Sequence, residues 1–145
     1  MTTSSQGAAE SIVNTVKQNT AVGDVKLVMF DLYDGIAEDF EEGWVAAASA
    51  GNSPDALFVF LMLFNSVDGT PLSEDFINLS QKQVIITSAE ECEDYEKYID
   101  NPDYQIYSDE IIKSLVGKYN PDVTLEDYTE LMDAFSLEWV KENAN

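Results

Sequence analysis

Val25-Lys-Leu-Val-Met-Phe-Asp-Leu32 is the stretch on which the fold class turns. Read as a strand, it makes the chain α+β; read as the start of a long helix, it makes the chain all-α. Its β-branched and apolar content favours a strand over the first six residues. Upstream, Ile12, Val13 and Val16 predict a short helix over Glu10–Gln18 that ends before Gly23, and residues up to about Gly7 are expected to fray. Downstream, Ile36, Phe40, Trp44 and Ala47 fall on one helical face from Asp34 onward. Gly51-Asn-Ser-Pro54 then stops that helix, with Ser53 expected to cap the next one and Pro54 to occupy its first position.

The helix from Pro54 to about Asn65 contains Ala-Leu-Phe-Val-Phe-Leu-Met-Leu-Phe (residues 56–64) and is apolar nearly all round, so it is expected to be the central buried helix. Asp68-Gly-Thr-Pro71 reads as a turn, Ser73–Leu79 as a short helix and Gln83–Thr87 as a strand. Ser88-Ala-Glu-Glu91 has the spacing of a capping box and opens a helix to about Ile99, broken by Asn101-Pro-Asp103. Ser108 caps a helix to about Val116. Thr124 caps a last helix in which Leu125, Tyr128, Met132, Phe135 and Trp139 recur at helical spacing. The expectation is a single acidic domain over residues 8–145, mostly helical α+β, with five or six helices and a sheet of two or three strands; the alternative is all-α.

Charge restricts the chemistry. The 145 residues include 28 acids and 7 bases, all lysine, for a net charge of −21 with no arginine and no histidine. Acid-rich chains that stay disordered lack aromatics, and this one has seven Phe, seven Tyr and two Trp. One cysteine, Cys92, forbids an internal disulfide and suits a reducing compartment. The first residues lack the basic start and apolar core of a signal peptide. The longest apolar run, over residues 56–64, is far short of the roughly 20 residues that span a bilayer, so a soluble, cytoplasmic protein with no membrane partner is expected.

Without histidine there is no Ser-His-Asp triad or Cys-His pair, and with one cysteine no structural zinc site. No phosphate-binding glycine motif occurs, and bidentate arginine clamps are absent. Asp31-Leu-Tyr-Asp-Gly35 has an EF-hand-like glycine but Leu32 and Tyr33 where ligands belong, so no metal or other cofactor is expected. Carboxylate-only hydrolysis survives these exclusions, but 28 acids single out no pair. Cys92, among Glu90, Glu91 and Glu93, reads as a small core hydrophobe rather than a nucleophile. No catalytic residue is assigned, and the chain is expected not to be an enzyme.

The acids fall in rows. Asp31, Asp34, Glu38, Asp39, Glu41 and Glu42 form one; Glu90, Glu91, Glu93, Asp94, Glu96, Asp100 and Asp103 a second; Glu126, Asp127, Glu130, Asp133, Glu138 and Glu142 a third. Acids three or four residues apart on a helix stand roughly 5–6 Å apart, against one DNA phosphate per about 3.4 Å along each strand. This spacing points to a DNA-mimic-like inhibitor that occupies the basic nucleic-acid site of a nuclease, restriction or defence enzyme, or DNA-binding regulator. A phage or other mobile element would be a natural source. The first two rows are the expected contact residues, with Tyr98, Tyr104 and Tyr107 beside the second as aromatic contacts. The scattered lysines argue against direct binding to nucleic acid, and a dimer would extend any acidic surface.

Two other readings stand beside this one. A charged helix face is ordinarily just solvated, and a salt-adapted proteome also produces acidic surfaces. The rival binding role is an acidic assembly chaperone or scaffold that holds a basic or hydrophobic client in an apolar groove, lined from Leu57–Phe64 or from the Met132–Trp139 face.

Overall fold

The computed structural model describes residues 2–3, 6–19, 23, 25–51 and 55–144. The described residues form a mostly helical α+β protein, with seven helices and a small mixed sheet. They divide into two units, one built from residues 1–50 and 84–97, the other from 51–83 and 98–145. The first holds the whole sheet; the second is helical.

In the first unit β1 (Thr2–Thr3), β2 (Leu27–Phe30), β3 (Val45–Ala50) and β4 (Val84–Ile86) lie in the order β1-β2-β3-β4. The first two pairings are parallel and the last antiparallel. Thr2–Thr3 thus pairs with Val28–Met29, within the segment expected to fray. The strand expected over residues 25–30 forms over Leu27–Phe30: β2 buries Leu27 and Met29 and exposes Val28 and Phe30. Helix α1 (Gln6–Gln18) sets Ala9, Val13 and Val16 into the core and packs on β2.

The helix expected to run from Asp34 to Gly51 does not. Only Ile36–Glu41 is helical (α2), and Val45–Ala50 is strand β3. Gly43 supplies the stop: at φ 79° it accepts the left-handed turn, its N–H donates to Phe40 O at 3.1 Å, and the Trp44 N–H donates to Asp39 O at 2.9 Å. This pattern closes a helix and redirects the chain. The Leu27 N–H then donates to Trp44 O at 2.9 Å, beginning the β2–β3 pairing. Pairing on both sides overrides the helix preference of Ala46, Ala47 and Ala48.

β4 falls within the predicted strand, and α4 (Ala89–Tyr98) follows it. The Glu91 N–H donates to Ser88 Oγ at 3.2 Å, as the capping spacing predicts. The returning carboxylate, however, accepts the Thr87 N–H at 2.6 Å and hydroxyl at 2.9 Å, one residue further back than expected.

The second unit contains α3 (Asp55–Val67), α5 (Asp109–Ser114), α6 (Leu125–Ala134) and α7 (Leu137–Asn143). The expected cap at Ser53 and Pro54 lies outside the described residues. Ser73–Leu79 forms no helix; the Ser73 hydroxyl instead accepts the Asp75 N–H at 3.0 Å. The predicted last helix is two, because Phe135 leaves helical geometry (ψ 119°) and the Ser136 side chain caps α7 by accepting the Trp139 N–H. The apolar seam continues across that break through Tyr128, Met132, Phe135, Leu137 and Val140, all buried.

At the centre of this unit Phe58, Tyr107 and Trp139 pack ring against ring, with Phe58–Tyr107 at 5.4 Å and Tyr107–Trp139 at 5.5 Å. Asn65 is fully buried beside them. Its amide donates to Leu115 O at 2.9 Å and to the Tyr128 hydroxyl at 3.1 Å, and its carbonyl accepts the Gly117 N–H at 2.9 Å. The Tyr128 hydroxyl itself donates to Leu115 O at 2.8 Å.

Candidate interaction surfaces

The first acidic row is only partly available. Asp34, Glu38 and Glu41 are exposed on and just before α2. Asp39, expected as a contact, is buried: its carboxylate accepts the Tyr33 hydroxyl and pairs with Lys17 from α1. Lys17 also reaches Glu42 at 2.7 Å, which in turn accepts the Trp44 indole N–H at 3.1 Å. The reason is positional. Asp39 lies on α2 beside Ile36 on the buried face, and such a carboxylate needs partners. Hydrogen bonds to Asp39 and Glu42 raise the Lys17 pKa, while burial and the Asp39 contact raise that of Tyr33. Glu10, Asn14, Lys17, Tyr33, Glu38 and Asp39 border a small open cleft of about 190 Å³.

In the second row, Glu90, Glu93 and Glu96 are exposed on α4, while Cys92 and Tyr95 are buried on the same helix. Glu91 is committed to Thr87, and Asp94 is half-buried. Asp100 and Asp103 are exposed but belong to the second unit. The Asp103 N–H caps locally onto Asn101 Oδ1. The third row is split by the α6–α7 break, and Asp127 closes the Thr124 capping box, which lowers its pKa.

Of the aromatic candidates, Tyr107 is a core residue rather than a contact. Tyr98 and Tyr104 are half-buried and pack edge to face at 5.3 Å. No group of three or more Cys, Asp or Glu side chains among the described residues is arranged to hold a metal ion. No helix among them is long and apolar enough to cross a membrane.

The largest departure from expectation is α3. It is not buried all round: Val59 is 68 % exposed, Phe60 60 %, Leu63 62 % and Val67 80 %, with Phe64 also open. Its inner side holds Phe58, Leu61 and Asn65. By contrast the Met132–Trp139 face, the other groove candidate, is buried at Met132, Phe135 and Leu137 and half-buried at Trp139. Near-uniform hydrophobicity hides the division, since sequence periodicity marks a face only when the opposite one is polar. The sheet of the first unit also has an apolar outer face. Phe30, Ser49 and Ile85 are in register across three strands, with Val28 on the same side as Phe30.

No protein-family model, curated protein or solved structure matches the chain.

Proposed function

We propose that this is a non-enzymatic acidic binding protein that engages a basic protein and occupies its nucleic-acid-binding site. The partner class is a nuclease, a restriction or defence enzyme, or a DNA-binding regulator, and a phage or other mobile element is the proposed source. The supporting observation is the α4 face. Glu90, Glu93 and Glu96 stand exposed on a helix anchored by buried Cys92 and Tyr95, so the carboxylates are presented from a fixed backbone. Successive members rise about 4.5 Å along the axis, against about 3.4 Å per phosphate along one DNA strand. With 28 acids and 7 lysines, at least 21 carboxylates lack a lysine of their own even if every lysine takes one.

The test is competition. A partner recovered on the immobilised protein should be displaced by excess duplex DNA, and its affinity should fall steeply with salt. Binding that persists unchanged under excess duplex DNA would falsify this reading.

The exposed α3 face favours a second reading, an acidic scaffold or assembly chaperone that holds its client by apolar contact. This version expects the free protein to bind a hydrophobic dye, and expects client binding to survive neutralisation of Glu90, Glu93 and Glu96.

A further inference from the structure

We infer that the outer face of α3 docks an amphipathic helix of a basic partner, an apolar ridge of that helix lying between two ridges of α3. The inference rests on the protein being a binder of basic proteins, but not on the partner's handling of nucleic acid.

The geometry is that of helix on helix. Val59, Leu63 and Val67 follow one another four residues apart, and Phe60 and Phe64 form a second row beside them. Rows at this spacing are the ridges that interdigitate in the commonest helix-packing mode, and the groove between them admits a third such ridge. The outer row runs about 12 Å along the axis, two turns of helix. A partner helix would therefore fill it with apolar residues at i, i+4 and i+8, or i, i+3 and i+7. Phe58, Leu61 and Asn65 fasten α3 from behind, so the face is preformed.

Charge selects the occupant. No charged residue occurs between Ala56 and Val67, and exposed Asp68 follows at once. Five exposed apolar side chains over about two turns of helix make a patch on the order of a few hundred Å², roughly what the largest patch of a soluble monomer reaches. That is below the approximately 800 Å² per partner of a stable interface. Pairing two copies through it would also bring together two chains of −21. A helix with Lys or Arg flanking its apolar ridge reverses the sign of that term, so attraction makes good what the small area lacks.

The probe is a labelled synthetic amphipathic helix of Leu and Lys, compared by fluorescence anisotropy with a peptide of the same composition in scrambled order. The patterned peptide should bind about tenfold or more tightly than the scrambled one. Phe60→Ser and Leu63→Ser should each remove most of that difference, the effect of truncating an interface hot spot. Both positions are exposed, so circular dichroism should be unchanged; Leu63→Ala and Val67→Ala serve as milder truncations if either serine variant fails to fold. Equal binding of the two peptides overturns the inference while leaving a purely charge-driven binder. Binding of neither peptide at low salt overturns both the inference and the reading it rests on. Self-association of the free protein that Leu63→Ser abolishes, or capture by neutral phosphatidylcholine vesicles that the same variant abolishes, also overturns it by naming another occupant.

Discussion

Replacing Asn65 by leucine should destabilise the helical unit by about 3 kcal/mol. The side chain is fully buried and holds three polar groups at once: Leu115 O, the Tyr128 hydroxyl and the Gly117 N–H. Leucine removes all three bonds but not with equal consequence. Leu115 O keeps the Tyr128 hydroxyl as a donor at 2.8 Å, so it stays satisfied. The Gly117 N–H loses its acceptor inside the unit, and an orphaned buried donor costs about 1–3 kcal/mol, while each of the other two bonds contributes about 0.5–1.5 kcal/mol. The added apolar surface of leucine offsets about 1 kcal/mol of this total.

The assay is urea unfolding followed by the fluorescence of Trp139, which lies in this unit, in a Trp44→Phe background that silences the other indole. A loss of that size lowers the midpoint by about 1–3 M. Asn65→Asp, nearly the same shape, sharpens the test: a carboxylate still accepts from Gly117 but has no hydrogen for Leu115 O, so it should cost at least as much near neutral pH. Tyr128→Phe in the same background should couple to Asn65→Leu by about 0.5–1 kcal/mol, because the two side chains share a bond. A midpoint change worth under about 1 kcal/mol for Asn65→Leu, or strictly additive effects, would refute the assignment of this cluster as the unit's polar centre.

Gly117→Ala should cost about 2 kcal/mol or more by overpacking, since a Cβ there would meet Thr70 Cβ at 2.8 Å and Oγ1 at 2.6 Å; a wild-type urea midpoint would count against it. Gln81 Nε2 and Oε1 are buried with no hydrogen-bond partner among the described residues. Gln81→Met should therefore raise stability by about 1 kcal/mol, and a loss would mean that the amide has a partner. Alkali should destabilise both units. Tyr33, Tyr128 and Lys17 all have folded pKa values above their ordinary 10.0, 10.0 and 10.5, Tyr128 being pushed up to about 12 by burial. Each favours its protonated form when folded, so its contribution is complete below the ordinary pKa and is lost as pH climbs through the folded one. Tyr128→Phe should flatten the loss between pH 10 and about 12 seen at Trp139, and Tyr33→Phe the loss seen at Trp44; unchanged profiles would contradict the sign.

Much of the fold was legible because local chemistry and tertiary context agree. Val25–Phe30 has the composition of a strand and pairs as one over Leu27–Phe30, and Ser108 and Thr124 cap helices where their spacing places them. The failures share a cause: one periodicity admitting two structures. Ile36, Phe40, Trp44 and Ala47 sit at helical intervals, yet Gly43 ends the helix and the β2 and β4 backbones claim Val45–Ala50. Phe135 and Trp139 likewise keep helical spacing across a break that Ser136 caps. At the candidate surfaces, exposure of Glu90 and Glu93 followed from their place away from Cys92 and Tyr95, while Glu96, one turn on from Cys92, is exposed at the border of that buried side. The burial of Asp39 was not readable, because it depends on Tyr33 and Lys17 arriving from other segments.

The division of labour between charge and apolar surface bears on how any complex forms. Carboxylates act over a Debye length, about 8 Å at physiological salt, whereas an apolar ridge acts only on contact. On the proposed reading, Glu90, Glu93 and Glu96 govern how often a basic partner arrives, and changes there belong in the association rate and its salt dependence. In the proposed complex, the exposed Val59, Phe60, Leu63 and Val67 govern how long a docked helix stays, so changes there belong in the dissociation rate. A mimic working by charge alone would have no use for an uncovered α3 face, which exposes apolar surface without any gain in attraction. A scaffold working by apolar contact alone would have no use for −21, which weakens the folded state by self-repulsion. Both features in one chain are explained together by a partner that is basic and amphipathic, since neither then stands idle.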